Sequence, residues 1–451
     1  MLFSSFEFLF RFLPVFLVIY YFTPKKFRNV TLLGGSIVFY TIGEAGYITI
    51  LLACVLVNYT LTRLMYRKNT DGRGIRQKRL LLLALGYDLG LLFFFKYSGL
   101  ASGLPLGISF YTFQIMAYVI DVYRGRIPAE QSLLRLGTYL TMFPQLISGP
   151  ITNYADVRVA LGRERTIKAR QLEEGMKLLI IGLAAKVVIA DRIGTLWNSI
   201  RMIGFDSIST KLAWMGAFAY SLQLYFDFAG YSMMARGIGK MLGFELPVNF
   251  RYPYISKSVT EFWRRWHITL GRWFREYVYI PLGGNRKGKA RTFFNLFVVW
   301  SLTALWHGAN YNFLIWGGIL LCCLLAEKLF LLRLLDKSRV IGHLYVLFVV
   351  PLSWVAFAVT DLSELGVYMT RLFPFAGHAA GVINHLDYLK YLNDYAPLFL
   401  LGVLFATPLP ETCYRLIERK WIGRVILLGI FGLCMYYLAV SANNPFLYFN
   451  F

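Results

Sequence analysis

Apolar runs of about 15–20 residues recur along the chain, long enough as helices to cross about 30 Å of hydrocarbon, and polar connections separate them. The first five predicted spans are Phe8–Phe22, a segment reaching Ile42, Tyr47–Tyr66, Leu80–Phe95 and Leu106–Ile120. The next stretch is less regular. Leu133–Ser148 is short, is interrupted by Pro144 and is followed by Gly149-Pro150. Such a broken segment is tolerated at membrane depth only where protein or a watery cavity satisfies its backbone. Asp156–Lys177 mixes both charge signs with apolar residues at helical spacing, which predicts an interfacial helix. Further spans are predicted at Leu178–Ala190, Leu212–Phe228, Thr292–Trp306, Asn312–Leu332, Leu344–Val359, Pro397–Phe405 and Val425–Val440. Asn249–Arg291 is too basic and too rich in Trp and Tyr to cross lipid as a lone helix, and Asp361–Asp394 reads as an extramembrane or interfacial loop.

The pattern defines an all-α, polytopic integral membrane protein with about ten to twelve membrane segments. It has no internal repeat or separate soluble domain, so residues 1–451 read as one transmembrane domain. Its stretches are the N-terminal spans (1–130), a broken, interfacial and spanning part (131–248), a polar centre (249–332) and C-terminal spans (333–451). The N-terminus lacks a small-x-small cleavage signal and reads as a retained span.

Composition agrees, with 57% hydrophobic and only 16% charged residues. The formal charge of +23 would suggest nucleic acid in a soluble chain. Here the Lys and Arg sit in loops between apolar runs, so the charge reads as positive-inside bias and lipid-headgroup contact. Basic loops follow the first, third and fifth spans, which places the N-terminus outside. The five cysteines show neither CxxC nor zinc spacing, so no disulfide framework or metal is inferred.

Candidate chemistry concentrates in Glu261–Asn310, which holds His267 and His307, each directly after a tryptophan. His307 closes the uncharged run Phe293–Trp306 and precedes Gly308-Ala309-Asn310. Histidine at membrane depth is costly unless solvated, paired or neutral, and a neutral imidazole suits a general base. Gly308 and Ala309 would admit a close neighbour. The bland alternative is a packing histidine bonded to a carbonyl. Trp263, Trp266 and His267 would share a helix face, as an aromatic belt with a polar partner or as a second proton-handling group. Arg264, Arg265, Arg272, Arg275, Arg286, Lys287, Lys289 and Arg291 fit either lipid headgroups or the phosphates of a donor. Pro281–Asn285 could expose turn amides to an anion. No GxSxG elbow, P-loop or HExxH pattern is present, which argues against a serine hydrolase and a two-histidine metal site. Asp227, near the end of an apolar run, would also suit a proton path in a transporter or flippase.

The segments Glu261–Gly308, Leu104–Gln114, Phe143–Pro150, Tyr225–Ser232 and Asn444-Pro445-Phe446 together resemble the membrane-bound O-acyltransferase family, in its bacterial, polysaccharide-acetylating branch. By that resemblance His307 corresponds to the family's essential histidine and His267 to the second histidine of the branch. Trp306, Asn310, Trp266, Arg264, Arg265, Arg272 and Asp227 become candidates for substrate binding. The resemblance implies a helical ring around a tunnel in the bacterial cytoplasmic membrane. It implies a cytoplasmic thioester donor, acetyl-CoA or another acyl thioester, and no resident cofactor. The acceptor would be a cell-surface glycan or an extracytoplasmic acyltransferase partner. D-alanyl transfer toward teichoic acid is the nearest alternative. Met233 stands where the branch commonly has aspartate.

Overall fold

A computed structural model describes residues 1–66, 74–100, 103–376 and 384–440. Arg67, Lys68 and Arg73 of the basic loop after the third predicted span, Ala101 and Ser102 ahead of Pro105, and Asn444-Pro445-Phe446 lie outside the described residues. All regular structure among the described residues is helical, as the apolar runs require when backbone groups must be satisfied within one segment. The chain is a multi-pass membrane protein, and it forms two compact units.

The first unit comprises Met1–Gly182 with Tyr231–Val248. Its helices are α1 (Leu13–Phe22), α2 (Arg28–Glu44), α3 (Ile48–Met65), α4 (Ile75–Tyr97), α5 (Ile108–Tyr123), α6 (Leu133–Thr141), α7 (Phe143–Leu146), α8 (Tyr154–Gly162) and most of α9 (Ala169–Ala184). Helix α5 is buried almost all round, so it packs against protein rather than lipid. The interruption foreseen near Pro144 falls at Met142, whose extended backbone separates α6 from α7. Phe143, just beyond the break, is ringed by Phe12, Phe16 and Phe39 at 5.2–5.5 Å.

The second unit comprises Leu183–Gly230 and Asn249 onward. A π-helical turn, Ala185–Ala190, carries α9 into α10 (Asp191–Ile203). Helix α11 (Thr210–Met241) begins in this unit. Then come the short α12 (Val259–Arg265) and α13 (Ile268–Phe274), followed by α14 (Gly288–His307), α15 (Tyr311–Ala326), α16 (Leu332–Leu335), α17 (Arg339–Ala358), α18 (Leu362–Leu372), α19 (Asp387–Phe405), α20 (Leu409–Arg415) and α21 (Trp421–Val440).

Two expectations need correction. Asp156–Lys177 is not one interfacial helix, because α8 ends at Gly162 and α9 starts at Ala169. Arg163–Lys168 is pulled out of helical geometry where Arg165 is buried and donates to Tyr20 Oη at 3.0 Å and Asn29 Oδ1 at 2.8 Å. Asp361–Asp394 is not simply a loop, since it contains α18 and the start of α19. In keeping with a polytopic membrane protein, five helical runs among the described residues are long and apolar enough to cross a membrane by themselves, or six with the bent pair α19–α20. One of the five, Lys25–Met65, contains both α2 and α3. The larger number expected from the sequence counted α5, with only 16 residues, and segments such as α6–α7 that are broken.

Candidate active site

Both histidines of the polar centre lie in the second unit and are buried. His307 is the last residue of α14, and Gly308 breaks the helix with extended backbone. A Cβ at Gly308 would lie 2.3 Å from the Phe313 ring, so the glycine lets that aromatic fold back over the helix end. A Cβ at Gly317 would come within 2.9 Å of Ala304 Cβ, which shows how small residues bring α15 onto α14. The result is an aromatic cage. The His307 ring meets Trp306 at 4.9 Å, Trp316 at 5.0 Å and Phe357 at 5.1 Å, all edge-on, and stacks obliquely over Phe313 at 6.2 Å. Asn312 secures the cage by donating from Nδ2 to the carbonyls of Ala356 and Phe357.

His267 departs from the helical face expected for Trp263, Trp266 and His267. Helix α12 stops at Arg265, Trp266 is extended, and His267 adopts φ 43°, ψ 51°. The cause is a competing backbone pairing: Arg251 N–H donates to the Arg265 carbonyl and Ile268 N–H to the Asn249 carbonyl, each at 2.9 Å. His267 and Tyr252 are the two non-glycine residues with positive φ among those described, and each is next in sequence to a residue of this pairing. Positive φ is costly for a residue with a Cβ and persists only where its surroundings enforce it.

Asn249 fixes the ring chemistry. Its Oδ1 accepts from Thr269 N–H at 3.2 Å and Thr269 Oγ1 at 3.0 Å, and it lies 3.2 Å from His267 Nδ1. An atom that accepts from a backbone N–H is the amide oxygen, so Nδ1 carries the proton and Nε2 keeps the lone pair. His267 lies in the polar centre outside the apolar spans. Burial lowers its pKa to about 3, which keeps the imidazole neutral. Trp306 touches both imidazoles, with its ring 6.2 Å from that of His267.

The other sequence candidates divide. Trp266 is buried against Phe262, Phe250 and Trp354, which makes it part of the wall behind His267. Arg264 and Asn310 are exposed. Arg265 pairs with Glu261 at 2.8 Å and Arg272 with Glu276 at 3.7 Å, each one turn along the same helical stretch. The glycine turn is closed rather than open: Gly283 and Gly284 N–H donate to the carbonyls of Ile280 and Tyr279. Asp227 is buried and paired with Lys186 Nζ at 2.7 Å.

Sequence reading missed Asn249, Trp316 and Lys186. Lys186 could have been found as the one charged side chain inside the run Leu178–Ala190. Asn249 and Trp316 carry no local signal. Among the described residues the buried indole N–H groups of Trp263 and Trp316 have no hydrogen-bond acceptor, and Trp316 is a wall of the His307 cage. A cavity of about 650 Å³ lies apart from both histidines, lined by Arg201, Asp206, Ser363 and Glu364 among others.

An imidazole in an aromatic cage, with the Trp316 indole in its wall, is equipped to take a proton from a hydroxyl and to stabilise a developing oxyanion. Residues 37–357 match the sequence profile of the membrane-bound O-acyltransferase family, and the chain belongs to that family. It is an O-acyltransferase of the membrane. It is 35% identical to the probable alginate O-acetylase AlgI of Pseudomonas putida, with both chains covered completely. It is 30% identical to the peptidoglycan O-acetyltransferase of Helicobacter pylori, over 100% of this chain and 98% of that one. The teichoic acid D-alanyltransferase of Bacillus subtilis is 32% identical over only 48% of this chain and 58% of its own.

Proposed function

We propose that this protein moves an acetyl group from a cytoplasmic thioester, acetyl-CoA, to a hydroxyl of a cell-surface polysaccharide or of an extracytoplasmic partner that serves it. The setting we propose for it is the bacterial cytoplasmic membrane, with the N-terminus outside. The observation that carries the reading is the enclosure of His307 at the end of α14 by Trp306, Trp316 and Phe357. The full-length likeness to two O-acetyl-transferring relatives favours acetyl over D-alanyl.

In the transfer step His307 accepts the proton of the acceptor hydroxyl as its oxygen attacks the thioester carbonyl. The new C–O bond forms, the C–S bond breaks, and the thiolate leaving group takes the proton back, which returns the imidazole to its neutral state. The Trp316 N–H stabilises the carbonyl oxygen as it gains charge. Arg286, Lys287, Lys289 and Arg291, at the opposite end of α14 from His307, meet the donor's phosphates. The test is a proteoliposome assay with radiolabelled acetyl-CoA on one face and acceptor glycan, with its periplasmic partner fraction, on the other. Label in O-ester linkage on the acceptor supports the reading. Use of a carrier-protein D-alanyl thioester in preference to acetyl-CoA, or movement of solute without a covalent product, overturns it.

Trp316→Phe keeps the ring and removes only the N–H. Loss of one such donor costs on the order of 10²–10³ in turnover where it stabilises an oxyanion. A kcat reduced to that extent, with KM for the thioester little changed, is the expected result. An unchanged kcat would remove Trp316 from the mechanism.

A further inference from the structure

A buried charged cluster stands behind the candidate active site. Lys186 Nζ lies 2.6 Å from Asp191 Oδ1 and 2.7 Å from Asp227 Oδ1, and its side chain is 5% exposed, that of Asp227 1%. Two buried charges, with a third from Asp191 whose side chain is 18% exposed, are an expensive way to join two helices, because apolar residues of similar volume often serve as well or better. What such a cluster supplies and an apolar contact does not is a fixed register.

The backbone is adapted to it. Lys186 and Asp191 are five residues apart, and at 100° per residue an α-helix would point them about 140° away from each other. The segment between them is π-helical, and Asp191 N–H donates to the Lys186 carbonyl. That i→i+5 turn brings both side chains to one face. Asp227 then comes from α11 to complete the set.

Register along α11 matters because its next residue, Phe228, lies edge-on to the His267 ring at 4.8 Å and 87°. Tyr225, on the same helix, packs against Trp266 at 6.1 Å and Tyr254 at 5.5 Å. A slip of one residue along α11 would move this wall by 1.5 Å and turn it by 100°.

We infer that Lys186, Asp191 and Asp227 form a register lock that seats Phe228 against His267, so that Asp227 is a positioning residue for acyl transfer and not a ligand of the substrate. The inference rests on the acyl-transfer reading of the two histidines, and its test has a readout that does not depend on that reading. The lock is probed by the double variant Lys186→Met/Asp227→Leu, which removes both buried charges and leaves only the partly exposed Asp191 carboxylate. The charge exchange Lys186→Asp/Asp227→Lys and the variant Phe228→Leu, which leaves the cluster intact, accompany it. Each is purified in detergent, its melting temperature is recorded, kcat and KM are measured, and the 15N signals of the His267 ring are assigned by difference from His267→Asn.

The double apolar variant is expected to remain folded, to lose kcat by about 10- to 100-fold, as small misplacements of reacting groups do, to keep KM for the donor, and to shift the His267 signals. Phe228→Leu should reproduce the kcat loss, and the charge exchange should recover at least part of it. Wild-type kcat and unshifted His267 signals in the folded apolar variant would overturn the lock. A rise in KM for the acceptor alone would instead make Asp227 a substrate ligand. Shifted His267 signals in a chain that transfers no acyl group under any condition would leave the lock standing and remove the acyl-transfer reading.

Discussion

His307→Ala is expected to insert and fold while losing acyl transfer by about 10²–10⁴-fold, the usual contribution of a positioned general base. The expectation follows from where the imidazole sits. It is the polar ring at the end of α14 in a cage otherwise made of Trp306, Phe313, Trp316 and Phe357. Truncation leaves a cavity among those rings, so part of any loss could come from collapse of the cage rather than loss of the base. His307→Phe separates the two effects, since it restores an aromatic ring of comparable size with no proton acceptor. Both variants should retain the wild-type elution profile and a melting temperature within a few degrees, and both should be inactive with labelled acetyl thioester. Transfer at wild-type rate by His307→Phe would show that the ring only fills space. Transfer restored to His307→Ala by added imidazole would confirm that a base is what was removed.

How much of this was legible in the sequence differs from residue to residue. His307 was legible because it interrupts an uncharged run, and Gly308 because a helix ending under an aromatic needs a residue without a side chain; the identity of that aromatic was not. Phe313, Trp316 and Phe357 come from α15 and α17 and look like ordinary apolar residues of a membrane helix, so nothing in the local pattern marks them as a cage. His267 was legible as a candidate, but its conformation was not. The i, i+3, i+4 spacing in Trp263, Trp266 and His267 is a valid helical signal that a tertiary pairing overrides, through the backbone of Asn249 and Arg251. In the basic run the local ion pairs were legible. Arg265 and Arg272 are half satisfied by Glu261 and Glu276 one turn away, a pairing visible in the sequence at i, i+4. Lys186 and Asp227 were each legible as ionisable groups in apolar runs, but their partnership depends on a π-helical turn, which no hydrophobic periodicity reports.

Asn249→Ala and His267→Asn should separate orientation of the second imidazole from its proton chemistry. Removing the Asn249 amide takes a shared acceptor from three buried donors: His267 Nδ1, Thr269 N–H and Thr269 Oγ1. A buried donor left unsatisfied costs about 1–3 kcal/mol, so this variant should melt measurably lower than wild type. Its kcat should fall by about 10- to 100-fold because the ring is no longer held. Asparagine is the substitution of choice at position 267, since it tolerates the left-handed backbone better than other side chains. His267→Asn should therefore stay close to wild-type stability and still lose activity. The pH dependence supplies the sign. With the His267 pKa at about 3 in the folded protein, the ring carries no charge above about pH 4 and cannot produce an acid limb in kcat/KM between pH 5 and 8. The profile of His267→Asn is thus expected to be lower in height and unchanged in shape. If the wild-type acid limb vanishes in His267→Asn, His267 is titrating in the working range, and its role is that of the base now assigned to His307.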